Sequence, residues 1–319
     1  MLTCLSVHLP AENTILSFLT AYRFGAKMIE FDLQLTYDNI PVIFHDYEIE
    51  VETKEGVKMH ETINRLTLDQ LLKLRPLKKA PDQITHAMSK IKHHRLSRST
   101  GDLHQVTREE IDTHLPHPDV IHGGYSTFQD AFALVPQDVG FLVEIKYPNL
   151  AMQNLRNFTA PERNKFVDII LNIVFNEAQN RRVAFLTFDP DIAILLRAKQ
   201  FRYPVLFLVC CETPNFYNVF DPDVNVHDTR GNSIMNAIAF VKMVNLDGIV
   251  CDSESILQNH SFVKAVHSEN LLLFTYGSRN VDPVNVKVQT ELGVDGIIAD
   301  NMTKLSKRVR TCMDASLSD

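Results

Sequence analysis

Glu30 and Asp32 stand two residues apart in an otherwise apolar run, Met28-Ile29-Glu30-Phe31-Asp32-Leu33. Successive side chains of a strand point to opposite faces, so both carboxylates share one face and Ile29, Phe31 and Leu33 share the other. Two acids on one face of a buried strand need compensation, either a Lys or Arg on a neighbouring strand for each or one cation held by both. The signal repeats in Phe141-Leu142-Val143-Glu144-Ile145-Lys146, where Glu144 and Lys146 alternate with apolar residues. Carboxylates gathered from several strand ends form a hard-oxygen site suited to Mg²⁺ or Ca²⁺. Lys146 then either meets an anionic substrate group or neutralises Glu144. His45 closes the run Pro41–Phe44 and precedes Asp46. Beside a divalent cation such a histidine can give and take protons near neutral pH, while in other settings a strand-end histidine serves structure.

Positioning these groups is the task of an alternating chain. Short β-rich runs recur at Met28–Leu33, Pro41–Phe44, Phe141–Ile145, Val183–Thr187, Val205–Val209, Gly248–Cys251, Leu271–Thr275 and Gly296–Ala299. They show little polar alternation, as expected of strands covered on both faces. Helical patterns lie between them, at Asn13–Phe24, Leu68–Leu74, Thr127–Leu134, Pro161–Ala178, Asp191–Lys199, Ser233–Val244, Ser261–Ser268 and Val284–Leu292. Thr127 and Asp189 are cap residues at helix starts, and Gly293 is a helix stop. About eight strand–helix units predict an α/β fold with a parallel sheet closed into a TIM (β/α)8 barrel. No Gly-x-Gly-x-x-Gly follows a first strand and no phosphate-binding loop of the Walker type is present, which argues against nucleotide folds.

The 319 residues allow two domains by length alone, yet one barrel with an insertion accounts for them. The predicted barrel runs over 1–308, with a short tail at 309–319. From about 78 to 125 the chain turns polar and carries His86, His93, His94, His104, His114, His117 and His122. These lack a fixed metal-ligand spacing, so the segment reads as a solvated insertion. A net charge of −7 argues against nucleic acid as a partner. No run reaches the roughly 20 apolar residues of a membrane span, and the first residues lack the basic n-region of a secretory signal. Five unevenly spaced cysteines read as reduced thiols, which predicts a cytoplasmic protein.

The segments combine into a larger pattern. Glu12-Asn13-Thr14, Gly25-Ala26, Ile29-Glu30-x-Asp32, Leu35-Thr36, Asp38, Pro41-Val42 and His45-Asp46 fall in one register, followed by Glu144-Ile145-Lys146, Phe188-Asp189 and Gly296-Ile297-Ile298-Ala299-Asp300. Together they resemble the glycerophosphodiester phosphodiesterase family over most of the chain outside the insertion. Asp138–Lys146, Tyr203–Leu208 and Glu291–Val294 are most similar to the catalytic domain of its glycerophosphocholine-hydrolysing branch. The resemblance implies a metal-dependent enzyme that cleaves small glycerophosphodiesters to sn-glycerol 3-phosphate and an alcohol. It also implies that Glu30, Asp32 and Glu144 bind a divalent metal, Mg²⁺ or Ca²⁺, that His45 is one of two catalytic histidines, and that Lys146 contacts the phosphate. Tyr276, in Phe274-Thr275-Tyr276-Gly277-Ser278, could face a choline through a cation–π contact or form part of a packed rim. The starch-binding-type module usual in that branch has no counterpart here.

One element of the family pattern is missing. His-Arg-Gly occurs nowhere in the sequence. The family spacing of nine positions before Glu12 lands on Thr3, followed by Cys4 and Leu5, while His8 falls in the intervening loop. A chain that starts within a shortened first barrel strand is the expectation favoured over loss of the pair during divergence. Weak turnover or none follows from either. Two other readings remain at this stage: a non-catalytic barrel that binds a phosphodiester or a protein, and an aldolase-like barrel using Lys146 as a Schiff-base amine.

Overall fold

The computed structural model describes residues 2–4, 12–52, 58–74, 124–150, 153–154, 159–210 and 228–300. Its main sheet is ten-stranded, in the order β1-β12-β11-β10-β9-β8-β7-β2-β3-β6. These strands are β1 (Leu2–Cys4), β2 (Met28–Leu35), β3 (Pro41–Ile43), β6 (Ser126–Thr127), β7 (Gly140–Ile145), β8 (Val183–Thr187), β9 (Val205–Val209), β10 (Gly248–Asp252), β11 (Leu272–Tyr276) and β12 (Gly296–Ala299). A separate hairpin pairs β4 (Glu48–Glu52) with β5 (Lys58–Thr62). The short β1 lies parallel to both β12 and β2, with Thr3 level with Ile298 and with Met28. That double pairing closes the parallel strands into a TIM barrel. Among the described residues the first strand is Leu2–Cys4, and it completes the cylinder.

Parity along the strands separates two cores. Ile29, Phe31, Leu33, Phe141, Val143, Phe185, Phe207 and Ile249 face outward and pack under the helices. Met28, Leu142, Ala184, Leu186, Leu206, Leu208, Val250, Phe274 and Ile298 fill the barrel interior. Strands covered on both faces explain the near-continuous apolar runs. Gly296 is required by this packing, because a Cβ there would stand 2.6 Å from the Phe274 ring.

The covering helices are α1 (Ile15–Arg23), α2 (Leu68–Lys73), α3 (Phe128–Leu134), α4 (Arg163–Glu177), α5 (Pro190–Lys199), α6 (Ile234–Met243), α7 (Ser253–Gln258), α8 (Ser261–His267) and α9 (Pro283–Leu292). Their predicted signals are present as geometry. Thr127 and Asp130 form a reciprocal capping box on α3, Asp189 accepts from the Ile192 amide at the start of α5, and Gly293 ends α9 in the left-handed region.

Pro41–Phe44 is corrected by the structure. It is not a member of the parallel cylinder: β3 runs antiparallel to β2, with Leu33 opposite Ile43 and Leu35 opposite Pro41. Only Thr36–Ile40 separates the two strands, closed by the Thr36 amide on the Ile40 carbonyl and by Asn39 at φ 62°. A parallel return needs a crossover of about a dozen residues, so a turn this short leaves only the antiparallel pairing. The polar segment expected as an insertion lies outside the described residues except for its last residues, and the tail at 309–319 lies outside them altogether. No described helix is long and apolar enough to cross a membrane.

Candidate metal centre at the barrel mouth

β2 carries Glu30 and Asp32 into the barrel, and β7 carries Glu144 beside them, since Asp32 is register partner of Glu144. The strand is fixed from behind by aromatic packing. Phe31, which points outward between the two acids, lies with its ring centroid 5.4 Å from Phe18, 5.8 Å from Phe128 and 5.1 Å from Phe141. Each of Glu30, Asp32 and Glu144 offers a carboxylate oxygen within 4.8 Å of the others. All three are buried, at 3%, 1% and 8% exposure.

Lys146, one register step further along β7, is equally buried. Its Nζ lies 3.6 Å from Glu144 Oε1 and 3.9 Å from Asp32 Oδ1, and 5.6 Å from the centroid of Tyr47. The lysine thus bridges two of the acids, the alternative considered from sequence. Ion-paired in this way it has the setting of an ammonium, whereas a Schiff-base lysine requires a neutral amine.

Among the described residues one ammonium faces three carboxylates. Glu30 shows the imbalance most clearly. Its Oε2 is buried and has no hydrogen-bond partner among the described residues. Burial holds its carboxyl well above the usual carboxylate range, with Asp32, Glu144 and Asp300 pushing the same way and Lys146 opposing them. An all-oxygen donor set around an unsatisfied buried carboxylate oxygen fits a divalent hard cation.

Asp32 is held by Asn13, which donates from Nδ2 to Asp32 Oδ2 at 2.8 Å and accepts from the Asp32 amide at 3.2 Å. Asn13 takes the left-handed backbone (φ 56°), which asparagine tolerates better than most residues. His45 lies in the loop after β3, on the same end of the barrel, because the Phe44 amide donates to the Asp32 carbonyl. Its side chain is 53% exposed and its Nδ1 is 2.8 Å from Asp46 Oδ1. Tyr276 ends β11, meets Phe188 edge-to-face at 6.0 Å between centroids, and donates from its hydroxyl to the Val209 carbonyl at 3.2 Å.

Asn13 and Gln34 went unread as functional residues in the sequence, and the signal for the second was present. Glu30-x-Asp32-x-Gln34 continues one face of β2, and Gln34 donates to the carbonyls of the His45 loop. Thr3, the position reached by the nine-residue count, lies on β1 at the register level of Met28, one layer below Glu30.

Acids and a lysine at the C-terminal ends of β2 and β7 define a TIM-barrel protein with its working groups at the customary mouth of that fold. The model of the glycerophosphoryl diester phosphodiesterase family matches residues 5–304, and the chain belongs to that family of phosphoric diester hydrolases. It is similar to a glycerophosphocholine phosphodiesterase from Schizosaccharomyces pombe, with 32% identity over 97% of this chain and 27% of that protein. The human glycerophosphocholine phosphodiesterase is 30% identical over 91% of this chain and 40% of its own length. A glycerophosphodiester phosphodiesterase from Arabidopsis thaliana is 32% identical over 91% of this chain and 68% of its length. The chain spans about a quarter to two fifths of the length of the glycerophosphocholine phosphodiesterases it matches. Among solved structures, an Oleispira antarctica phosphodiesterase in complex with sn-glycerol 3-phosphate shares the fold at a TM-score of 0.61 and 13% identity, over 98% of this chain and 96% of that one.

Proposed function

We propose that this barrel is a divalent-metal-dependent phosphodiesterase acting on small glycerophosphodiesters of the glycerophosphocholine type, releasing sn-glycerol 3-phosphate and an alcohol. The observation that carries this reading is the buried triad Glu30, Asp32 and Glu144, in which one Glu30 oxygen has no hydrogen-bond partner among the described residues. These three residues hold the metal, Mg²⁺ or Ca²⁺. When bound, the ion supplies Lewis-acid polarisation of the phosphoryl oxygens. Lys146 gives the buried mouth a fixed positive charge for the phosphate. His45, oriented through its Nδ1 by Asp46, moves a proton to or from the diester oxygens. Tyr276 and Phe188 supply an aromatic wall for the leaving alcohol, favourable to a quaternary ammonium. The barrel is proposed to extend over 1–308, and the protein to work in the cytoplasm, in keeping with the unbridged thiol of Cys251.

Hydrolysis by this chain is slow in this account, because no His-Arg-Gly supplies a second histidine and a guanidinium for the phosphate. Thr3, Cys4 and Leu5 at the counted positions favour, as a second reading, a barrel that binds a phosphodiester without turning it over. The purified chain is assayed for choline release from glycerophosphocholine with Mg²⁺, with Ca²⁺ and with chelator. Slow, metal-dependent release that falls further in His45→Ala supports the proposal. Binding without release supports the second reading. Release at a rate typical of intact family members, abolished by His45→Ala, refutes the slow-turnover claim.

A further inference from the structure

Gln34 is the third polar residue on the inward face of β2, after Glu30 and Asp32, and it is 6% exposed. A buried amide at the barrel mouth needs partners for both of its N–H groups. They are not on neighbouring strands. Nε2 lies 2.8 Å from the Phe44 carbonyl, 2.8 Å from the Asp46 carbonyl and 3.3 Å from the His45 carbonyl. Three consecutive carbonyls therefore converge on one amide nitrogen. The ladder between β2 and β3 ends at Leu33 opposite Ile43, and past it the Phe44 amide reaches the Asp32 carbonyl, so the curl of the loop over Gln34 lies beyond regular β pairing. Gln34 also shares the lining of a small cavity with Lys146 and Tyr47, so it stands between the metal-side acids and the histidine loop.

We infer that Gln34 is a positioning residue for His45: it clamps the backbone on both sides of the histidine while Asp46 holds the ring. The inference rests on the reading of His45 as the proton-transfer group, and it adds how a half-exposed histidine on a loop keeps one place relative to buried acids. The residue acts through another, its side-chain amide bonding to the loop carbonyls rather than to the three acids. Its loss should lower turnover without weakening metal binding, since no metal ligand bonds to it.

The test uses the full chain and the variants Gln34→Ala, Gln34→Glu, His45→Ala and Gln34→Ala with His45→Ala. Gln34→Glu retains size and packing but replaces the donors by oxygens facing three carbonyls, so it separates the clamp from mere filling of space. Measured are kcat and KM for glycerophosphocholine, Kd for Mn²⁺ by calorimetry, and amide hydrogen exchange over Phe44–Tyr47. The inference predicts at least a tenfold fall in kcat for both single Gln34 variants, with KM and the Mn²⁺ Kd within threefold of the parent. It also predicts faster exchange over Phe44–Tyr47, and a double variant no slower than His45→Ala alone, because coupled residues are non-additive. Additive losses, a Mn²⁺ Kd weakened tenfold, or unchanged exchange in Gln34→Glu would overturn it. If His45→Ala itself leaves kcat unchanged, the catalytic reading of His45 fails instead, and unchanged or faster exchange over Phe44–Tyr47 then decides the clamp alone.

Discussion

Replacing Glu30 by glutamine separates what the barrel needs to fold from what it needs to bind a metal. In the metal-free chain Glu30 is a buried carboxyl with one oxygen that finds no donor among the described residues, beside Asp32, Glu144 and Lys146. A buried acceptor left unsatisfied costs about 1–3 kcal/mol, and the amide cannot ionise at any pH and brings N–H donors beside Asp32 and Glu144. At about 2 °C per kcal/mol for a large domain, Glu30→Gln should raise Tm in chelator by about 2–6 °C. The sign with pH follows from linkage. The folded-state pKa of Glu30 is raised, first by burial, so the native chain holds a proton that the unfolded chain releases. Stability of the metal-free parent therefore falls as pH climbs from the unfolded value near 4.5 through the raised folded value, and the variant lacks that fall.

Metal reverses the order. A ligand at 1,000 times its Kd adds about 4.1 kcal/mol to the form that binds it, so the parent in saturating Mg²⁺ or Ca²⁺ should melt above the variant, which has lost one of three ligands. The assay is differential scanning calorimetry of both proteins at pH 7.5, with chelator and with each metal. Two melting curves that cross in rank between the conditions are the expected result. A variant that melts below the parent in chelator, or that gains as much from metal as the parent does, would refute the reasoning.

Four further outcomes follow. Asn13→Ala removes the reciprocal pair that holds Asp32 and should weaken Mn²⁺ binding about tenfold by calorimetry, the scale on which groups supporting metal ligands act; an unchanged Kd counts against it. Phe31→Ala empties the centre of the aromatic cluster behind β2 and should cost about 3–5 kcal/mol in urea unfolding, and a loss under about 1 kcal/mol would show that the strand is not held from that side. Arg181 is buried, gives its guanidinium to the carbonyls of Val135, Pro136 and Val139, and is brought down to about 10 by burial. Because the folded-state value is lowered, the unfolded chain binds more protons above about 10 and linkage makes stability rise with pH there, while at pH 7 the guanidinium is charged in both states; Arg181→Ala should lower stability by about 3 kcal/mol at pH 7, and a neutral effect would show the three carbonyls are satisfied otherwise. Tyr276→Ala should raise KM for a choline diester about fivefold, the scale of one cation–π contact, while leaving an uncharged alcohol diester within twofold; equal losses on both would assign the ring to packing.

Much of the site was legible because strand alternation is strict. Glu30, Asp32 and Glu144 stand out among apolar neighbours, and no packing of neutral residues explains acids at those positions. The barrel was legible for the same reason, as a count of two-face-buried strands. What escaped was short or non-periodic. The β4–β5 hairpin is a two-stranded sheet outside the barrel rhythm, and α7 follows directly on Asp252, which caps it with no linker to mark the boundary. The antiparallel turn after β2 required the length of the connection, rather than its composition, to be weighed. Asn13 and Gln34 bond to groups 10 to 19 positions away, and no local pattern encodes such partners. Lys146 was seen, and its choice between two roles needed distances.

The central claim is that Glu30, Asp32 and Glu144 hold one divalent cation at the barrel mouth. Anomalous diffraction from crystals of the chain grown with Mn²⁺ addresses it without reference to turnover. The account predicts a single strong peak within about 2.5 Å of an oxygen from each of the three carboxylates, as oxygen-ligated divalent ions require. A peak elsewhere, or Lys146 alone among the acids with no peak at saturating Mn²⁺, would contradict it.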